Sequence, residues 1–321
     1  MTEILFIKTS SLGDVIHHLP ALTEARRQNP QAHIAWVVEE AFAPLVRLHP
    51  GVDEVIPVAS RRWRRAPLSP STWREAGAFL RTLRARRYDA VIDTQGLFRT
   101  GLIARAARGV RHGYDKASVR EAAASWFYDR RHRVGRHLHA IERNRALTAR
   151  TLGYAPHLPA DYGLHALRRP ASEERYVVLL HATARASKEW PEQHWIALGE
   201  TIAARGLAVV LPWGNDRERA RSERLAAAIP NAWVPARAPL DDVARLLAGA
   251  HYVVGVDTGL LHLAAALEVP LVGIFTASMP ALTGPVSAAP FAIVGTQGQP
   301  PTVDEVTHAL DEVEAASARA Q

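Results

Sequence analysis

The chain has 321 residues, 48% hydrophobic and 22% charged, with a net charge of +7. That length exceeds what one core usually fills, so two domains are expected, and the composition excludes a disordered or fibrous chain. The lack of cysteine excludes disulfides and thiolate metal sites and fits a reducing compartment such as the cytoplasm, while the charge calls for an anionic partner: nucleic acid, phospholipid or a phosphorylated small molecule.

The first ten residues lack the basic start, apolar middle and small-residue cleavage site of a secretory signal, so export is not expected. Strand-like runs at 4–7, 34–38, 55–58 and 90–92 alternate with helical patterns at 15–27, 72–86 and 101–107. A helical stretch at 138–152 is followed by 153–170, which holds glycines and prolines without a clear period and marks the domain boundary. Strands then return at 176–180, 208–211, 252–256 and 271–275, with helices at 191–204, 216–227, 240–248 and 260–267 and a last helix at 303–318. Residues 269–303 carry no charge, but six prolines interrupt them, so buried strands joined by loops are predicted there and not a membrane span.

This βαβ rhythm predicts an α/β protein: two doubly wound, Rossmann-like parallel-sheet domains facing a cleft. Residues 1–155 form the first domain, 156–170 a linker and 171–321 the second, with the last helix able to return to the first domain.

Four polar loops follow predicted strands, where α/β sheets bind ligands. In Lys8-Thr9-Ser10-Ser11-Leu12-Gly13-Asp14 the small residues admit a ligand to the backbone, and Asp14 either caps the next helix or accepts a proton from a substrate hydroxyl. In Asp257-Thr258-Gly259-Leu260-Leu261-His262, exposed N–H groups at a helix start suit a phosphate or serve only a cap. The loop from His181 to Lys188 offers hydroxyls and cations suited to a diphosphate. After Pro212-Trp213-Gly214-Asn215, Glu218 either accepts hydrogen bonds from a ribose or base or answers the helix dipole. Only Lys8, Lys116 and Lys188 among the 39 basic residues are lysines, which draws attention to the two in these loops.

Neither a dinucleotide fingerprint nor a phosphate loop of the Gly-Lys type occurs. His132, His137 and His139 lack carboxylates at a metal-ligand spacing, so no metal is expected. The cluster Arg61-Arg62-Trp63-Arg64-Arg65 suits an acceptor with several phosphates or carboxylates, an anionic membrane surface, or plain solvation.

Together with Trp36-Val37-Val38-Glu39-Glu40, Tyr88-Asp89-Ala90-Val91-Ile92-Asp93 and Leu211-Pro212-Trp213-Gly214, these segments resemble the bacterial lipopolysaccharide heptosyltransferases of glycosyltransferase family 9, and most of all their heptosyltransferase I branch. The resemblance covers nearly the whole chain. It implies a GT-B fold and inverting transfer of L-glycero-D-manno-heptose from ADP-heptose to the first Kdo of Kdo2-lipid A, without a cofactor or metal, by a peripheral protein on the cytoplasmic face of the inner membrane. Carried over by motif, Asp14 is the general base. Thr183, Lys188, Glu218, Asp257, Thr258, Gly259 and His262 line the donor site, and Ser10, Ser11, Arg61, Arg62, Arg64, Arg65 and Arg120 hold the acceptor. The chain departs from its relatives at Thr183-Ala184, where they tend to carry Thr-Thr, and at Thr276-Ala277-Ser278-Met279-Pro280, where they carry a Gly-Pro-Thr-Asp-Pro-like segment. The competing readings are a family member with another acceptor, a non-catalytic nucleotide-sugar-binding protein and a nucleic-acid-binding protein. The last leaves four ligand-type strand tips without a role, so no nucleic acid is expected.

Overall fold

The computed structural model describes residues 1–156, 159–167, 175–183 and 185–320. The chain divides into two compact units, Met1–Gly163 and Leu164–Gln321.

The first unit holds β1 (Glu3–Ile7), β2 (His33–Glu39), β3 (Glu54–Val58), β4 (Arg87–Asp93), β5 (Arg108–Tyr114) and β6 (Arg130–His132). They form one parallel sheet in the order β3-β2-β1-β4-β5-β6. Ile4, Leu5, Phe6 and Ile7 are all fully buried, as expected of a central parallel strand covered on both faces. The order reverses at β1, and the loops after β1 and β4 therefore flank the point where such a sheet opens for a ligand.

The second unit repeats this plan with β7 (Tyr176–Leu180), β8 (Ala208–Val210), β9 (Ala232–Trp233), β10 (Tyr252–Val256), β11 (Leu271–Ile274) and β12 (Phe291–Val294). Its order, β12-β11-β10-β7-β8-β9, is again parallel throughout and puts the reversal between β7 and β10. Trp190 and Trp195 pack with Val177, Leu179, Val254 and Leu310 in its core, and the Trp190 indole N–H is satisfied by the Pro301 carbonyl at 2.9 Å. The last helix, Val303–Ala320, packs on β11 and β12 of its own unit.

Several elements differ from the sequence reading. The expected helix at 15–27 is two, Leu12–Ile16 and Leu19–Gln28. Pro20 lacks an N–H and its ring crowds the carbonyl of Ile16, so a continuous helix breaks at His17 and His18. Strands β5, β6 and β9 lie where no strand was read, whereas β12 falls within 269–303, where strands joined by loops were expected. In β5, Arg-Gly-Val-Arg-His-Gly-Tyr, the hydrophobic alternation is replaced by cations and glycines, and β9 is only two residues long. Pairing with strands already in the sheet, not propensity, makes both extended.

Candidate functional site

In the first unit the loop after β1 is bound to the loop after β4. The Gln95 side-chain carbonyl accepts the backbone N–H groups of Thr9 and Ser10 at 3.1 and 3.2 Å. Gln95 is fixed in turn: Asp93 Oδ1 accepts the N–H groups of Gln95 and Gly96 at 2.8 and 3.1 Å, and Asp93 Oδ2 receives the Tyr128 hydroxyl at 2.7 Å. Asp93 is fully buried, and burial pushes its carboxyl pKa up despite these bonds. Lys8 lies beneath the loop with its ammonium on the Thr94 carbonyl at 3.0 Å and Asn144 Oδ1 at 3.4 Å, and burial lowers its pKa. Lys8 therefore joins the strand tips from below.

On this platform the helix Leu12–Ile16 begins at Ser11, with Asp14 three positions on. Ser11 donates its backbone N–H and its hydroxyl to Asp14 Oδ2 at 2.9 and 3.3 Å, and the Arg120 guanidinium stands 3.7 Å from the same oxygen. The capping role is thus real, but it occupies one carboxylate oxygen. The side chain of Asp14 is 28% exposed, so its carboxylate is reachable. Ser10 is buried, and its hydroxyl accepts a hydrogen bond from Arg99 at 2.8 Å. Ser10, Ser11, Asp14 and Arg120 are brought together.

The arginine cluster follows β3, two strands from β1 in the same sheet, on and just after the short helix Ser60–Trp63. Buried Glu39, at the end of β2, accepts the Ser60 hydroxyl at 2.7 Å and the Arg61 N–H at 2.9 Å, which anchors the turn. Arg62 is chelated by Glu40 at 2.9 and 3.1 Å and also bonds Glu75 at 2.9 Å; the Glu40 bonds, then those to Glu75, hold its pKa above the usual guanidinium value. It would have to leave two carboxylates to meet a ligand. Arg61, Arg64 and Arg65 are exposed.

In the second unit the centre is Asp257, at the tip of β10. Its Oδ2 is bonded by the Lys188 ammonium and the Ser278 hydroxyl, and its Oδ1 lies 3.5 Å from His262 Nε2. Thr183 donates its hydroxyl to the Asp257 carbonyl at 3.4 Å, and Thr276 donates to the Ser187 carbonyl at 2.9 Å. Burial opposes ionisation of Asp257, yet the bonds from His262, Lys188 and Ser278 hold its carboxyl well below the usual carboxylate range. Loops after β7, β10 and β11 thus meet on one carboxylate. Beside it Thr258 stands at the N-cap position of the helix Gly259–Ala266 without a side-chain capping bond, and the first N–H groups of that helix form an anion-ready end. Ala184 lies outside the described residues.

Glu218 is not part of this knot. It follows β8, where one oxygen accepts the Gly214 N–H at 2.7 Å, the other accepts from the Asn215 side chain at 2.7 Å, and Asn215 accepts the Glu218 N–H at 3.1 Å. This reciprocal cap is the dipole-related role rather than an open carboxylate. Among the described residues no group of three His, Cys, Asp or Glu side chains is placed to hold a metal ion.

Sequence reasoning passed over Gln95, Asp93, Arg99 and Ser278. A signal existed for the first two, because Asp93-Thr94-Gln95-Gly96 directly follows an apolar strand as the other site loops do. Ser278 stands in the segment that departs from the relatives, where motif comparison is least informative.

The chain matches glycosyltransferase family 9 (heptosyltransferase) over residues 76–311. It is 46% identical over 287 residues to lipopolysaccharide heptosyltransferase 1 of Escherichia coli, covering 88% of this chain and 90% of that protein. The Pseudomonas aeruginosa protein of the same name is 46% identical over 289 residues, 88% of this chain and 81% of that one. Among solved structures, the E. coli heptosyltransferase WaaC with ADP superposes with a TM-score of 0.91 at 41% identity, covering 97% of this chain and 100% of that chain. The E. coli ADP-heptose lps heptosyltransferase II shares the fold, with a TM-score of 0.78 at 22% identity over 99% of this chain and 100% of that one. With its two parallel six-stranded sheets the protein has a GT-B-like fold, and it belongs to glycosyltransferase family 9, the heptosyltransferases.

Proposed function

We propose that this glycosyltransferase of the lipopolysaccharide inner core moves L-glycero-D-manno-heptose from ADP-heptose to the first Kdo of Kdo2-lipid A, with inversion, at the cytoplasmic face of the inner membrane. Asp14 is the general base. Its Oδ2 is held by Ser11 and Arg120, which keeps the carboxylate oriented, and the acceptor hydroxyl gives its proton to this carboxylate as its oxygen attacks the anomeric carbon. The bond to the diphosphate breaks as the new glycosidic bond forms. A nucleoside diphosphate leaves without protonation by a general acid, so one carboxylate suffices.

The observation that carries this reading is the knot around Asp257. It bonds Lys188 to the residue before the N-cap of Gly259–Ala266, which supports a cation and backbone N–H groups acting on one diphosphate. Thr183, Lys188, Asp257, Thr258, Gly259 and His262 serve the donor, with Glu218 shaping the neighbouring loop after β8. Ser10, Ser11, Arg61, Arg64, Arg65 and Arg120 serve the acceptor, and Arg62 does so only on leaving Glu40 and Glu75. WaaC was solved with ADP and with ADP-2-deoxy-2-fluoro heptose, which supports an ADP-sugar donor here. Among the described residues no helix is long and apolar enough to cross a membrane.

Incubation with ADP-heptose and Kdo2-lipid A tests the proposal by mass measurement of the lipid. A gain of one heptose is expected; an unchanged lipid in the presence of both substrates overturns it.

A further inference from the structure

Residues 61–87 contain nine arginines and a single acid, Glu75, an excess of eight positive charges where the entire chain has an excess of seven. This stretch is one of two strongly basic segments; residues 99–150, with thirteen cations and four acids, are the other. Most of the first segment is the helix Pro70–Ala85.

The helix buries Phe79 and Leu83 and turns the opposite stripe outward. Trp73, Gly77, Leu80, Arg81 and Arg84 recur at the spacing of one helical face, with Arg74 on its flank. Trp73 is 69% exposed, Leu80 37%, and Leu68 in the turn just before the helix 90%. Leu80, Arg81 and Arg84 share a shallow depression with Arg108 of β5. The one acid does not neutralise the stripe, because the Glu75 carboxylate is taken by Arg62 and by the Trp63 indole N–H at 2.9 Å each.

Solvation accounts for exposed arginines but not for an indole and two leucines set among them. Indole rings and aliphatic tips at the level of lipid headgroups, with guanidinium groups on the phosphates, are the features of a surface that lies on a bilayer. We propose that the outer face of Pro70–Ala85, with Leu68, docks the protein on an anionic lipid bilayer. The proposal rests on the reading of a lipid-borne acceptor and assigns the surface that meets the lipid. A nucleic acid fits the arginines but gives the exposed leucines no role.

Sedimentation with vesicles of phosphatidylglycerol and phosphatidylethanolamine, and of phosphatidylcholine alone, tests it without donor or acceptor. Binding to the anionic vesicles only is expected. The double variant Arg74→Gln/Arg81→Gln should lose about thirtyfold in partition coefficient. A second variant, Leu68→Ser/Trp73→Ser, should lose the part of the binding that survives about 0.5 M salt. These side chains are exposed, so thermal melts should be unchanged, and transfer to a water-soluble deacylated acceptor should match the parent. Equal vesicle binding by parent and variants overturns the proposal, as does a parent that ignores anionic vesicles but binds duplex DNA. Vesicle binding that falls as stated in a protein that adds no heptose to Kdo2-lipid A overturns the acceptor reading alone.

Discussion

Lys188 and Asp257, 69 residues apart in sequence, form an ion pair that joins the loop after β7 to the tip of β10, the two strands beside the reversal of the second sheet. The Asp257 side chain is 9% exposed and that of Lys188 20%. Breaking the pair from one side strands a nearly buried carboxylate. Lys188→Ala should lower stability by about 2 kcal/mol in a urea titration. It should also raise the KM for ADP-heptose, since the same ammonium is proposed to meet the diphosphate. A variant as stable as the parent would show that Ser278 and His262 suffice for the carboxylate.

The lowered pKa of Asp257 has a definite sign. The folded state keeps the proton off at a pH where the unfolded chain, with a carboxyl near 3.8, takes it up. Its contribution is therefore present above that value and is lost as pH falls below it. In Asp257→Asn, urea midpoints measured between about pH 5 and pH 2 should fall less steeply than in the parent. Parallel curves would mean that the carboxylate gains nothing from its partners.

His49 and His181 act in a different window. Both are buried, and burial pushes each imidazole from 6.5 down to about 4. Between those values the unfolded chain binds protons that the folded chain refuses, so stability should fall as pH drops from 6.5 toward 4. A tenfold difference in proton affinity between the two states is worth about 1.4 kcal/mol, which makes the loss several kcal/mol for the pair. His49→Gln should flatten this slope; the His49 ring nitrogens meet the Gly51 N–H and the Thr23 hydroxyl at 2.9 Å each, contacts that a side-chain amide can partly replace.

Asp14→Asn keeps an acceptor oxygen for the Ser11 N–H and hence the cap, but removes the proposed base. Transfer should fall by between about a hundredfold and ten-thousandfold, with ADP-heptose affinity unchanged by calorimetry. Loss of donor binding in step with activity would instead point to a collapsed loop.

Gln95→Ala removes the acceptor shared by the buried N–H groups of Thr9 and Ser10, at a cost of about 2 kcal/mol. Because Gln95 touches no proposed reacting atom, the expected signature is a lower kcat with little change in the KM for ADP-heptose. Gln95→Glu, which retains the acceptor oxygen, should recover part of the loss.

The site was legible where chemistry follows from chain position. Polar residues directly after a buried apolar strand lie at a sheet's carboxyl edge by construction, so the loops of Asp14, Lys188 and Asp257 could be found by reading along the chain. Glu218 and Arg62 show the limit of that reading. Each is the right residue type in the right loop, but whether its charge is open depends on neighbours elsewhere: Glu218 closes a cap with Gly214 and Asn215, and Arg62 is held by Glu40 and Glu75. The same holds for β5, whose cations and glycines conceal a strand that the edge of β4 imposes.

By itself the sequence determined the alternation of strands and helices, the division into two α/β halves, the family and the polar loops proposed to bear the chemistry, because hydrophobic period, turn residues and local motifs are encoded over a few adjacent positions. Only the tertiary structure decided the strand order, the carboxylate on which Lys188, Ser278 and His262 converge, the platform of Gln95 and Asp93 under the Asp14 loop, and the side of Pro70–Ala85 that faces outward. Each of these joins groups tens of residues apart, and which partner a buried polar group finds is settled by packing rather than by its neighbours along the chain.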